Sequence, residues 1–150
     1  RHTAGFGPSG FRNLVLNAAG VCFFGFFGAR GGTDYLREYL NAVTGVERSE
    51  EAMLKDGERI ANIRHVFNLR EGINPLKLKV HPRIIGNPPQ TAGPLAGITS
   101  DIEAQDYWNL GALDWDRTTT KPSKAKLLSL GLKDVAEELW PPTPPPAPRP

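Results

Sequence analysis

The stretch Leu14 to Ala29, LVLNAAGVCFFGFFGA, constrains this chain more than any other. It is the most apolar run, and water will not tolerate it unless something covers it. It is about 16 residues long, short of the roughly 20 that a membrane-spanning helix needs, and Asn17 interrupts it. Arg1 and Arg12 precede it as in a signal peptide, but Val21 stands where a lipoprotein cleavage site needs a small residue, and no A-x-A-like site follows. No membrane insertion is therefore expected, and the run reads as a buried segment. It holds the single cysteine, Cys22, which rules out an internal disulfide and fits a cytoplasmic location. Phe23, Phe24, Phe26 and Phe27 surround that thiol, and Gly20, Gly25 and Gly28 lie among them.

The rest of the chain reads as short helices separated by glycine and proline. Residues 1–10, RHTAGFGPSG, read as an irregular loop continuing from a preceding part. From Phe11 the apolar run reads as helix, broken at Gly20 or at the Gly25–Gly28 pair. Thr33 is the expected N-cap of an amphipathic helix carrying Tyr35, Leu36, Tyr39, Leu40 and Val43, closed by Gly45. Ser49 caps the next helix. Its expected apolar face is Ile60, Ile63, Val66 and Phe67, weakened by Gly57 and ended by Gly72. Pro75, Pro82, Pro88, Pro89 and Pro94 then forbid a regular helix over a long excursion. Ser100 and Glu103 fit a capping box for a helix up to Gly111. Two short helices follow, one starting at Pro122-Ser123 and ending before Gly131, one carrying Val135, Ala136 and Leu139. The fold class is all-α: a multihelical domain over residues 11–139 with a long proline-rich excursion, then a proline-rich disordered tail over 140–150.

Few constellations carry chemistry. Cys22 on its own reads as a small buried hydrophobe; as a thiolate ligand it needs companions that this chain lacks. His2, His65 and His81 do not fall at metal-site spacing. Asn17-Ala18-Ala19-Gly20-Val21-Cys22 is a small-residue patch suited to helix packing or to close approach by a flat heterocycle. Arg70 and Glu71 read as structural ion-pairing groups. Asp114 and Asp116 flank Trp115 and read as a turn before they read as an acid and base pair. The net charge of +2, without a basic stripe, argues against nucleic acid.

Three stretches together resemble the tungsten-containing aldehyde:ferredoxin oxidoreductases. Asn17 to Cys22 resembles the family's D-x-x-G-L-C motif. Gly57 to Gly72, GERIANIRHVFNLREG, resembles its later helix, G-E-R-x-x-N-L-x-R-x-F-N-x-R-E-G. Asp106 to Leu132 is similar to its C-terminal end, with an aromatic pair, a GWD-like turn at Trp115-Asp116, a proline and L-x-x-L-G-L.

The resemblance implies the C-terminal part of a longer catalytic subunit that oxidises aldehydes to carboxylic acids. It implies tungsten (or molybdenum) held by two pterins, and a 4Fe-4S cluster that passes electrons to ferredoxin or an electron-transfer subunit. Both cofactors would be completed by the rest of the catalytic subunit, and the segment alone would be inactive; a homodimer is compatible. It assigns Cys22 as a cluster ligand and Asn17 and Val21 as pterin contacts. Asn17 stands where the family has Asp, and Val21 where it has Leu, so a charged contact becomes a neutral one. The phenylalanines after Cys22 also suit the related class II benzoyl-coenzyme A reductases. A reading from another class is a non-catalytic helical interaction module whose PPPAP segment is a ligand for an aromatic groove.

Overall fold

The computed structural model describes residues 6–27 and 34–142, with the side chains of 6–9, 27 and 34 outside that description. Among the described residues the regular elements are helices: α1 (Phe6–Ala18), α2 (Phe23–Phe27), α3 (Asp34–Thr44), α4 (Glu50–Arg70), α5 (Ile102–Leu113), α6 (Lys124–Ser129) and α7 (Lys133–Leu139). Two short 3-10 turns, Pro75–Lys77 and Pro82–Ile85, interrupt the proline-rich excursion. The all-α expectation holds. Of the expected loop over residues 1–10, residues 6–10 are helical instead, because α1 already begins at Phe6, and residues 1–5 lie outside the described residues. Pro8 lies in the first turn, where its missing N–H has no intrahelical partner to lose.

Several boundaries follow from local chemistry. α1 ends in a Schellman motif: Gly20 takes φ 73°, Val21 N–H donates to the Leu16 carbonyl and Gly20 N–H to the Asn17 carbonyl. Ser49 caps α4 by accepting from Ala52 N–H at 3.1 Å. Ser123 does the same for α6 through Lys126 N–H. The start of α5 differs from expectation. Asp101, not Ser100, is the cap and accepts from Ala104 N–H, while Ser100 N–H is committed to the Ile85 carbonyl. α5 also runs through Gly111 and stops at Asp114, which takes a left-handed φ of 56°. The expected cap Thr33 lies outside the described residues.

Two apolar clusters form. The first joins Val15 and Leu16 of α1, Leu36 of α3 and Met53 of α4, with Val21, Phe26, Leu40 and Ile60 packed against it. The second is Leu127, Leu130, Leu132 and Ala136 of α6 and α7, supported by Val135 and Leu139. Asn41, 7% exposed, ties the α3–α4 loop by accepting from Arg48 N–H and donating to the Arg48 carbonyl and to Glu47.

Gly57 is where α1 crosses α4. A Cβ there would lie 2.2 Å from the Phe11 carbonyl oxygen. What reads in sequence as a weak point is thus the point of closest approach. Gly57→Ala gains helix propensity of about 1 kcal/mol but drives a methyl into rigid backbone, at a cost of roughly 1–3 kcal/mol or more. A urea melt should show a net loss. Gly111→Ala is the control: its Cβ meets the Arg117 guanidinium at 2.6 Å, the mobile end of a side chain, so stability should hold or rise.

Candidate functional site

The candidate site is the turn that leaves α1 and enters α2. The Schellman cap swings the chain so that Val21 packs back on the first cluster while Cys22 points outward. Cys22 is a free, exposed thiol. This corrects the reading of Cys22 as a buried hydrophobe. The residue stands directly before α2, and its carbonyl accepts from Phe26 N–H at 3.0 Å. Phe26 anchors α2 on the first cluster and meets Tyr39 edge to face at 6.4 Å. Phe24, by contrast, is 82% exposed.

Asn17 and Val21 flank the thiol differently. Asn17 is exposed at the end of α1, and its side chain has no hydrogen-bond partner among the described residues. The Val21 amide is committed to Leu16, so only its carbonyl is available to a ligand. Ala18, Ala19 and Gly20 are exposed beside them. An amide and a thiol on exposed residues and a carbonyl without a partner among the described residues thus fall within one six-residue turn. Among the described residues no group of three or more His, Cys, Asp or Glu forms a metal site. A single outward thiol fits a cluster whose other ligands come from another part of a larger assembly; a buried one would not.

The remaining motif residues do structural work that sequence reasoning missed. The buried side of α4 is partly polar: Asn62 is 0% and His65 7% exposed, whereas Ile63 and Phe67 are 46% and 57% exposed. The expected Ile60–Ile63–Val66–Phe67 face is thus half wrong, with only Val66 fully buried and Ile60 partly so. Trp115 Nε1–H donates to Asn62 Oδ1 at 3.0 Å, and Asn62 Nδ2 donates to the Glu58 carbonyl. The His65 ring stacks on Trp115 at 3.8 Å and 7°. His65 Nε2 is 2.8 Å from the Thr120 carbonyl, and because a carbonyl only accepts, Nε2 carries the proton. The spacing Asn62, His65 on one helix turn was the available signal.

Asp114 and Asp116 form the turn that presents Trp115. Asp116 accepts from the Thr119 N–H and hydroxyl and from Thr118 N–H, which hold its carboxyl below the usual range. Asp114 accepts from the Ser123 hydroxyl. Both carboxylates are thus occupied in holding the loop. Arg70 pairs with Glu138 across to α7, not with the adjacent Glu71. Lys126 pairs with Glu58 at 2.7 Å, joining α6 to α4.

The described fold is thus an all-helical domain with one exposed thiol just past a capped helix end. Comparison with known proteins gives the family. Residues 10–132 match the family model described as aldehyde ferredoxin oxidoreductase, domains 2 & 3. The chain belongs to the aldehyde ferredoxin oxidoreductase family. A tungsten-containing aldehyde ferredoxin oxidoreductase of Pyrococcus abyssi is 36% identical over 122 residues, 80% of this chain and 19% of that protein. One of Thermococcus kodakarensis is 41% identical over 85 residues, 57% of this chain and 14% of that protein. One of Pyrococcus horikoshii is 35% identical over 122 residues, 80% and 19%. The chain thus spans about a fifth of the length of these relatives. No solved structure matches it. No helix among the described residues is long and apolar enough to cross a membrane.

Burial lowers the His65 pKa from its ordinary 6.5, against the Thr120 carbonyl, which raises it. The unfolded chain therefore binds the proton first as pH falls. The stability that neutral His65 contributes is complete above about 6.5 and is lost as pH drops from there through the folded-state value. Urea midpoints should decline over that window, and His65→Phe should flatten the decline. Asn62→Ala strands the indole N–H and should cost about 1–3 kcal/mol at any pH.

Proposed function

We propose that this chain is the C-terminal segment of a tungstopterin, iron–sulfur oxidoreductase subunit that oxidises aldehydes to carboxylic acids and passes electrons to ferredoxin or an electron-transfer subunit. The observation that carries the reading is the exposed Cys22 thiol on a rigid capped turn, in a chain of this family. Cys22 acts as one thiolate ligand of a 4Fe-4S cluster whose other ligands lie elsewhere in the catalytic subunit. Asn17 donates or accepts through its amide, and Val21 accepts through its carbonyl, to orient a pterin beside that cluster. The bound cofactors supply the two-electron oxidation and the one-electron exit.

The chain's own share is positioning and insulation. The Schellman cap fixes the direction of Cys22. Val21 and Phe26 pack against the first cluster and hold the turn to it on both sides of Cys22. Phe23 and Phe24, edge to face at 5.7 Å, supply apolar surface beside the thiol for the rest of the subunit to cover. Those rings also suit an aromatic thioester substrate, and a substrate screen with aldehydes and benzoyl-coenzyme A separates the two.

In a full-length subunit carrying this segment, Cys22→Ala should remove cluster iron and its EPR signal, with ferredoxin reduction lost. Iron and EPR signal that survive the change would sink the assignment. Asn17→Leu should lower pterin content while leaving iron in place; equal loss of both would point to misfolding instead.

A further inference from the structure

The excursion between α4 and α5 is an ordered arm that the site does not use. Asn74 anchors it to the body through the Thr118 carbonyl at 3.4 Å. Beyond that, its hydrogen bonds among the described residues are internal, such as Ser100 N–H to the Ile85 carbonyl and Gly97 N–H to the Gln90 carbonyl, both 2.9 Å. Within the arm, Leu76-Lys77-Leu78-Lys79-Val80-His81 alternates aliphatic with basic residues. The chain leaves the 3-10 turn at Lys77, bends at Leu78 and is extended at both ends of Leu78–His81, with φ, ψ of −77°, 128° at Leu78 and −62°, 130° at His81. The N–H groups of Lys79, Val80 and His81 and the carbonyls of Leu78, Lys79 and Val80 have no partner among the described residues. Leu78 is 65% and Ile84 75% exposed. Lys77, Lys79 and Arg83 form no ion pair among the described residues, and residues 72–100 contain no Asp or Glu.

We infer that Leu78–His81 is a docking strand that pairs, edge to edge, with an extended, acid-flanked segment of the larger oxidoreductase polypeptide. This rests on the proposed function, because that reading supplies the polypeptide. Unpaired donors and acceptors on a short extended segment are the template for strand addition. Three uncompensated cations select an acidic neighbour. The relatives are about five times longer than the matched stretch, so most of such a subunit lies outside this chain. A second copy is the poorer occupant, since antiparallel self-pairing sets lysine against lysine.

The test co-expresses the full 150-residue chain with the portion of the Pyrococcus abyssi relative that precedes its matched region. Deuterium exchange at the Lys79, Val80 and His81 amides should slow by about tenfold or more in the complex. The triple variant Lys77→Glu, Lys79→Glu, Arg83→Glu should weaken association by about tenfold. Circular dichroism should be unchanged, because those side chains form no hydrogen bond or ion pair among the described residues. The Lys→Arg variants at 77 and 79 should associate normally. Three results overturn the inference: no association, association with these amides still exchanging freely, or protection that rises with the concentration of this chain alone. Protection that persists in Cys22→Ala, with iron lost, keeps the two readings separate; loss of the arm's protection with iron retained defeats only this one.

Discussion

The structure depends on a polar junction. Its two apolar clusters are separate, and polar contacts tie α4 to the loop before α6 and to α6 itself: Trp115 bonded to Asn62, His65 stacked on Trp115 and bonded to Thr120, Lys126 paired with Glu58. Apolar contact is forgiving of direction, whereas an indole N–H bonded to one amide oxygen is not. The junction therefore fixes the angle at which the α6–α7 pair meets α4. It also concentrates risk, since each buried polar group must keep its partner or lose stability.

The same long helix serves the candidate site from its other end. Met53, in the first turn of α4, packs in the cluster that holds Val21 and Phe26. Gly57, one turn on, lets α1 approach until backbone touches helix. α1 can then end where its Schellman cap turns Cys22 outward. Closeness at Gly57 and exposure at Cys22 are one arrangement: a side chain at the first would lift α1 and shift the second.

The surface left uncovered is consistent with a segment of something larger. Phe24, Ile63, Phe67, Leu78 and Ile84 are all exposed large hydrophobics. Scattered apolar residues are normal on a surface. Here they gather beside the outward thiol, along α4 and on the arm, three places where the family's longer polypeptide has room to pack. Cys22 belongs to the same pattern: a free thiol exposed outside its own core.

Local rules were legible from the sequence. Ser49, Ser123, Gly20, Gly45, Gly72 and Gly131 mark helix ends because capping and positive φ depend on a few neighbouring residues. The all-helical class and the family were legible too, the first from periodicity and proline placement, the second from the residues of Gly57 to Gly72. What the sequence could not decide was which side of a helix meets which partner. Ile63 and Phe67 read as core and are exposed; Asn62 and His65 are buried instead, because their partners Trp115 and Thr120 lie 53 and 55 residues away. Cys22 read as buried because the residues around it are apolar, yet past the helix cap Val21 packs on the first cluster and its neighbour Cys22 is exposed. The sequence by itself determined where the helices stop and to which family they belong; only the tertiary structure decided which side chains face inward, because that depends on contacts between segments far apart in the chain.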